Sequence, residues 1–250
     1  GVLTFIENPD YETKATYTAT VTASDGINSS TQEVTITVTN VNDVAPSITS
    51  SATFSAAENQ TAIGTVTATD IEGDDITFSV TGTELAITSG GVLTFASAPD
   101  YETKATYTAT VTASDGVNAS AQVITISVTN LNDNSPQISS SSTASINEGA
   151  VSVITIQASD ADGDTVTYSL SGIDANSFTI NSSTGVLVLN SAADYETKTS
   201  YSIIVTATDG TNSSTQSFTL TIINDESDDS IAGIRLPQSV QLVETQGESS

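Results

Sequence analysis

The sequence predicts an all-β chain built as tandem two-sheet sandwiches, and three observations carry the prediction. A long segment, PDYETKATYTATVTASDG, stands at 9–26 and returns unchanged at 99–116, with a diverged copy, DYETKTSYSIIVTATDG, at 194–210. Around these copies apolar residues alternate with Thr and Ser at a period of two, the pattern of a half-buried strand. No stretch carries the 3.6-residue periodicity of an amphipathic helix.

The elements follow in order. In YTATVTAS (17–24), Tyr17, Ala19, Val21 and Ala23 alternate with Thr and Ser, and in EVTITVTN (33–40), Val34, Ile36 and Val38 do the same. Thr, Val and Ile are β-branched and pack well on a pleated surface. Asp25-Gly26, Asp115-Gly116 and Asp209-Gly210 end their strands as turn residues. GVLTF (1–5), GVLTF (91–95) and GVLVL (185–189) precede the copies at matching offsets, and TVTATDIEG (65–73) answers to TIQASDADG (155–163). Asp10 to Asp100 is a step of 90 residues and Asp100 to Asp194 one of 94, a unit the size of a small independent domain rather than a solenoid turn. About seven short strands per unit indicate a two-sheet sandwich. TNVNDVAP (39–46) and TNLNDNSP (129–136) each follow a strand and hold a Pro, which cannot serve a central ladder. The expected organisation is the end of a first repeat at 1–43, full repeats at 44–133 and 134–225, and an acidic linker and tail at 226–250.

The 250 residues include 30 acidic and 4 basic side chains, a formal charge of −26. Phosphate backbones need a basic footprint, so nucleic acid is excluded as a partner, and anionic membrane surfaces are disfavoured. No apolar run approaches twenty residues, so no membrane insertion is expected. The chain opens with Gly and shows no signal peptide, so it reads as a piece of something longer. Cys and His are both absent. That removes disulfides, thiol chemistry and the usual zinc ligands, and leaves the hard oxygen donors that suit calcium or magnesium.

The repeated letters outside the strand pattern are mostly acidic. They are Asp-Tyr-Glu at 10–12, 100–102 and 194–196, Asn-x-Asn-Asp at 40–43 and 130–133, Asp-x-Glu at 70–72, Asp-x-Asp at 160–162, Asp before Gly at 25, 115 and 209, and an early Glu at 58 and 148. Each alone is a weak signal, but the elements recur in the same order from unit to unit, with Asn-x-Asn-Asp closing the first two, while ordinary surface positions are Thr and Ser.

This order resembles cadherin repeats over residues 1–225, and the lack of cysteine with few aromatics looks more like the bacterial members than the animal ones. The resemblance implies seven-stranded Greek-key (Ig-like) sandwiches joined end to end, with Ca2+ in each junction. It implies a first junction ligated by Asp10, Glu12, Asn42, Asp43, Asp70, Glu72 and Asp115, with the carbonyls of Val41 and Val44. It implies a second built from Glu58, Asp100, Glu102, Asn132, Asp133, Asp160, Asp162 and Asp209, with the carbonyls of Leu131 and Asn134. Glu148, Asp194, Glu196 and Asp225 form half of a third. The chain departs from the family pattern at Asn40 and Asn130, where Asp is usual, at Val44, where Asn is usual, and at Glu72, one methylene longer than Asp.

The physical case stands beside the resemblance. The second set gathers seven carboxylates, and two like charges about 4 Å apart repel by roughly 4 kcal/mol at an effective dielectric of 20. Calcium takes about 6–8 oxygens at roughly 2.3–2.6 Å and mixes carboxylates with carbonyls, whereas magnesium demands a stricter octahedron and keeps its water. Bound calcium should stiffen the linker, and its removal should let the linker flex.

Tyr11, Tyr101 and Tyr195 read as packing residues, and Lys14, Lys104 and Lys198 as solvated partners of local acids. Asn-x-Ser/Thr triplets at Asn28, Asn59, Asn118, Asn181 and Asn212 matter only in a glycosylating host. No nucleophile elbow is present, and an acid pair in every unit is wrong for a single glycosidase site, so an enzyme is not expected. The leading function is a calcium-rigidified structural or adhesive array of a secreted or cell-surface protein, meeting other copies of itself, another surface protein or a polysaccharide. The alternatives are a filament subunit, with the tail at 231–250 lending a strand to a neighbour, and a polysaccharide-binding array.

Overall fold

The computed structural model describes residues 1–225; the acidic linker and tail at 226–250, with the strand-exchange role expected of them, lie outside the described residues. The chain divides into two compact units, Gly1–Leu131 and Asn132–Ser250. The described residues are strands, turns and one 3₁₀ turn at Ala175–Ser177.

The first unit opens with an antiparallel hairpin, Thr16–Ser24 against Ser29–Thr37, in which Thr16 faces Thr37 and Ser24 faces Ser29. A sandwich follows. One sheet has the spatial order Thr53–Ala57, Ala119–Thr129, Thr106–Ser114, Thr77–Val80. Its first pair is parallel and the rest antiparallel. The other sheet has the order Ala62–Thr65, Val92–Phe95, Leu85–Ile87. A short ladder joins Ser47–Ile48 to Ala68–Thr69. Ser47–Ile48 leads into Thr53–Ala57, and Ala68–Thr69 continues Ala62–Thr65. The first strand therefore begins against one sheet and ends in the other, and the sandwich has seven strands. The chain crosses between sheets after the first, second, third and fifth, which is a Greek-key order.

The second unit repeats this plan. Its larger sheet runs Thr143–Asn147, Ser213–Ile223, Ser200–Thr208, Thr167–Ser171, its smaller one Ser152–Thr155, Val186–Leu189, Phe178–Ile180, and Gln137–Ile138 pairs with Ala158–Ser159.

The period-two pattern sets the core. Val111, Ala113, Ile124, Ile126 and Val128 point inward from the long hairpin of the first unit, against Leu93, Phe95, Leu85 and Val66. Ile203, Val205, Phe218, Leu220 and Ile222 do the same in the second, against Leu187, Leu189, Phe178 and Ile156. Each such side chain contributes about 1.5–3 kcal/mol by leaving water. The hairpin at 16–37 carries the same letters without a facing sheet among the described residues, so Val21 is 46% exposed where its counterpart Val111 is 0%.

Two further devices recur. Phe5, Phe95 and Phe178 each meet a Tyr ring edge to face, Tyr17, Tyr107 and Tyr201, at 5.0, 5.0 and 5.5 Å. Lys14, Lys104 and Lys198 place their ammonium groups 4.6, 4.4 and 4.8 Å from those same Tyr rings. Lys104 also pairs with Glu84, and Lys198 with Asp174, whose side chain is only 12% exposed. The lysines are therefore not simply solvated; they lie against the aromatic pair of each repeat. The Lys198 side chain, followed by the Ser202 N–H, holds the Asp174 carboxyl below the usual carboxylate range. Tyr101 and Tyr195 pack against the cores as expected, while Tyr11 is 39% exposed.

Gly91 and Gly185, the first letters of GVLTF and GVLVL, have φ of +88° and +70°. A Cβ there would lie 2.2 Å from the Val66 carbonyl oxygen and 2.1 Å from that of Ile156. The contact is close because the glycine carbonyls accept the N–H of Val66 and of Ile156, both at 2.9 Å. Gly210, at φ +100°, meets nothing within 4 Å. Gly185→Ala is therefore expected to destabilise the second unit by more than about 2 kcal/mol, and Gly210→Ala by about 1 kcal/mol from backbone strain alone. Equal losses for the two in chemical denaturation would refute the backbone-approach account.

Candidate metal centre

The acidic motifs lie in turns, and each turn uses carboxylate oxygens to tie down its own backbone. In DYET, Asp10 Oδ1 accepts the N–H of Glu12 at 3.0 Å and of Thr13 at 3.3 Å, and its Oδ2 accepts the Thr13 hydroxyl at 2.8 Å. Asp100 with Thr103, and Asp194 with Thr197, repeat the Thr contacts. The Thr hydroxyl is the main reason that Asp10, Asp100 and Asp194 lie below the usual carboxylate range.

In the Asp-Gly turns, Asp115 Oδ1 accepts the N–H of Val117 at 2.7 Å and of Asn118 at 2.6 Å. Asp209 Oδ1 accepts those of Thr211 and Asn212 at 2.6 and 2.7 Å. Asp25 makes the same turn with Ile27 and Asn28. Burial pushes the Asp115 and Asp209 carboxyls up, but these N–H donors, joined by linker and turn Asn side chains, outweigh it and leave both lowered. In the remaining pair of turns, Asp70 Oδ1 accepts the N–H of Glu72 at 2.8 Å and Gly73 at 3.1 Å. Asp160 Oδ1 accepts that of Asp162 at 3.0 Å.

The second oxygen of these residues is the informative one. Asp70 Oδ2, Asp115 Oδ2 and Glu12 Oε1 in the first unit, and Asp160 Oδ2 and Asp209 Oδ2 in the second, are buried and have no hydrogen-bond partner. A buried polar atom without a partner costs about 1–3 kcal/mol, more when charged. The same orphaned atoms appear at equivalent positions of both units. A hard cation with oxygen ligands would satisfy them, and the donor set of carboxylates, Asn amides and carbonyls fits calcium.

The linkers are held by the same acids. Glu72 accepts the N–H of Asp43 on Oε1 at 3.0 Å and of Val44 on Oε2 at 3.1 Å. Asp162, one methylene shorter, takes the N–H of Asp133 at 3.1 Å and of Asn134 at 2.8 Å on a single oxygen. Its other oxygen accepts the Asn134 side chain at 2.9 Å. Glu58 is 2% exposed and accepts the N–H of Tyr101 at 2.8 Å and of Leu131 at 2.7 Å. Glu148 accepts the N–H of Asp225 at 2.7 Å. Val41, Val44 and Leu131 have exposed side chains.

Within the first unit, carboxylate oxygens of Glu12, Asp43 and Glu72 lie within 4.8 Å of one another, as do those of Glu58, Asp100 and Glu102. Asp70 and Glu72 gather with Asp74, and Asp160 and Asp162 with Asp164. Asp74 and Asp164 were not among the predicted ligands, although the D-x-E-G-D and D-x-D-G-D spacing carried them. Sequence reading also passed over Asn118 and Asn212 except as Asn-x-Ser triplets. Asn118 Nδ2 donates to Asn42 Oδ1 at 2.6 Å, and Asn212 Nδ2 to Asn132 Oδ1 at 2.8 Å. That nitrogen is the one a glycan would occupy.

The fold and the site together define a tandem β-sandwich repeat protein whose acidic turns flank its linkers. The family model described as Cadherin domain matches residues 142–223. The Protocadherin-like wing polarity protein stan of Drosophila melanogaster is 32% identical over 243 residues, covering 86% of this chain and 7% of that protein. Human Protocadherin Fat 1 is 31% identical over 84% of this chain and 5% of its own length. Among solved structures, mouse Cadherin-23 EC22-24 superposes with a TM-score of 0.73 at 26% identity, covering 88% of this chain and 78% of that one. Human Protocadherin-24 EC1-2, at 23% identity and a TM-score of 0.63 over 73% of this chain and 100% of that one, shares the fold. The chain is a cadherin-like repeat protein. It spans under a tenth of the length of the two curated relatives. These relatives are animal proteins and lend no support to a bacterial source. No helix among the described residues is long and apolar enough to cross a membrane.

Without cations the crowded acids repel. Burial, then the neighbouring Asp10 and Glu72 carboxylates, push the Glu12 carboxyl up. Burial, then Glu72 and Asp10, push Asp43 up. Such groups hold protons more tightly folded than unfolded, so their term loses stability as pH rises from the ordinary carboxylate range through the raised values. Asp10 and Asp115 have the opposite sign and lose their contribution as pH falls through the lowered values. In calcium-free buffer at pH 7, Glu12→Gln is expected to raise the melting temperature of the first unit. The gain should vanish toward pH 4. A lower melting temperature for the variant at pH 7 would contradict the repulsion account.

Proposed function

We propose that the chain is a segment of a calcium-stiffened adhesive or stalk array belonging to a larger secreted or cell-surface protein. The recurrence of buried carboxylate oxygens without partners, at equivalent turns of both units, carries the reading. In it, repeats meet at 43/44 and 133/134. Calcium at the first boundary takes Asp10, Glu12, Asn42, Asp43, Asp70, Glu72, Asp115 and the carbonyls of Val41 and Val44. Calcium at the second takes Glu58, Asp100, Glu102, Asn132, Asp133, Asp160, Asp162, Asp209 and the carbonyls of Leu131 and Asn134. Glu148, Asp194, Glu196 and Asp225 supply half of another site. Nothing in this scheme calls for catalysis. The array meets another copy of itself or another surface macromolecule.

The ion does mechanical work in this scheme. Ligands from two modules and the linker between them converge on the same cations, so binding energy resists bending of the junction. Copying a module lengthens the array without new chemistry, which accounts for a segment repeated letter for letter. The curated relatives are cadherins and protocadherins by name, and that supports an extracellular, adhesive setting.

Small-angle scattering tests the proposal: an extended rod in calcium and a bent ensemble in chelator are expected. Identical profiles in the two, together with melting indifferent to chelation, would end it. Asp133→Ala should reduce stiffness at the second junction and leave the first unchanged. Unfolding of residues 44–133 by that change in chelator would show that Asp133 serves the module rather than the ion.

A further inference from the structure

We infer that Asn118 and Asn212 are positioning residues that lock the linker amides Asn42 and Asn132 in place before any cation arrives. The inference begins with the turn. Asp115 N–H bonds the Asn118 carbonyl at 3.3 Å, and the Ser114 hydroxyl donates to the same carbonyl at 3.0 Å. Gly116, at φ +97°, donates its N–H to the Ser114 hydroxyl at 3.1 Å. With Asp115 Oδ1 accepting the Val117 and Asn118 N–H groups, the loop from 115 to 118 is bonded throughout. Asn118 is thus held by its backbone at both N–H and C=O, and only its side chain is free to reach outward.

That side chain reaches the linker. Asn118 Nδ2 donates to Asn42 Oδ1 at 2.6 Å and toward the Asn42 carbonyl at 3.3 Å. In the second unit Asn212 Nδ2 donates to Asn132 Oδ1 at 2.8 Å and toward the Asn132 carbonyl at 3.3 Å. The partners are 76 and 80 residues apart in sequence, and the geometry is the same in both units. All four residues are partly buried. One amide thereby constrains both the backbone and the side chain of a linker residue whose neighbours, Asp43 and Asp133, are candidate ligands. The same Asn pair also supports Asp115 and Asp209, since both side chains help lower those carboxyls.

An isolated linker residue loses backbone and side-chain freedom when it joins a site. A latch formed in the folded module removes part of that cost in advance, so the module presents a preordered linker to the ion. The proposal rests on the calcium reading for its second readout only; the first is made without metal.

The test uses the full chain, labelled with ¹⁵N, as wild type, Asn118→Ala, Asn118→Asp and Asn212→Ala. Asn118→Asp keeps the side-chain shape and loses both donated bonds, which separates hydrogen bonding from packing. Backbone shifts over Thr106–Ser114 report that the module is folded. In chelator, the order parameter at Asn42 is expected near strand values in wild type and below about 0.6 in both Asn118 variants. Asn132 should stay ordered in these and become mobile only in Asn212→Ala. In calorimetric titration with calcium, Asn118→Ala should weaken the first junction about tenfold and leave the second unchanged. Equal Asn42 mobility in wild type and both Asn118 variants overturns the latch. Lost Asn42 order with undiminished calcium affinity overturns the positioning role while the calcium reading stands. A wild type that binds no calcium, yet shows the Asn42 pattern in chelator, sinks the calcium reading and upholds the latch.

Discussion

Carboxylates in this protein are divided between two tasks, and the division organises everything around the linkers. In Asp70, Asp115 and Asp209 one oxygen accepts backbone N–H groups two and three residues ahead, and in Asp160 it accepts the N–H two residues ahead. The bonds fix the side chain so that its other oxygen cannot turn back to solvent or to the turn. Asp70, Asp115, Asp160 and Asp209 all end with a buried oxygen lacking a partner. A rotating surface carboxylate would not tolerate that, because water would satisfy both oxygens at little cost. A hard cation with oxygen ligands would satisfy those atoms.

The sandwich exists to present those turns at the right places. Its core is narrow and mostly aliphatic: Val111, Ile124, Ile126 and Leu93 in the first unit, Val205, Phe218, Leu220 and Leu187 in the second. The sheets close through glycine where Gly91 and Gly185 bring backbone against backbone. Each repeat also stacks a Phe, a Tyr and a Lys, and Lys104 and Lys198 reach on to an acid in a turn, Glu84 and Asp174. With so few basic residues in the chain, giving one per repeat this place against the ring marks it as part of the architecture.

The linkers are held from several directions. Glu72 and Asp162 cap two successive linker N–H groups each, and Glu58 caps Leu131. Glu72 spreads its two oxygens over Asp43 and Val44, whereas Asp162 serves both amides from one oxygen and turns the other to the Asn134 side chain. The Val44 and Glu72 departures from the family pattern therefore occur together: where the linker lacks the Asn side chain, the longer acid takes both of its oxygens to the backbone.

The strands, their inward faces and the acidic turns were all legible in the sequence, because alternation at a period of two and short motifs such as DYET and Asp-Gly are local properties. Asp10, Asp100 and Asp194 could be picked out for the same reason: their bonds reach no further than Thr three residues on. What the sequence could not show is long-range. The Asn118–Asn42 and Asn212–Asn132 amide pairs join residues 76 and 80 positions apart, and nothing local distinguishes those Asn residues from ordinary turn Asn. The Lys198–Asp174 pair likewise depends on two loops meeting. Nor could composition reveal which oxygen of an acid is left unpartnered, since that depends on the burial and direction a side chain acquires only once both sheets are closed. Local chemistry determined the elements and the inventory of donors; packing alone decided which donors face each other and which oxygens are buried without a partner.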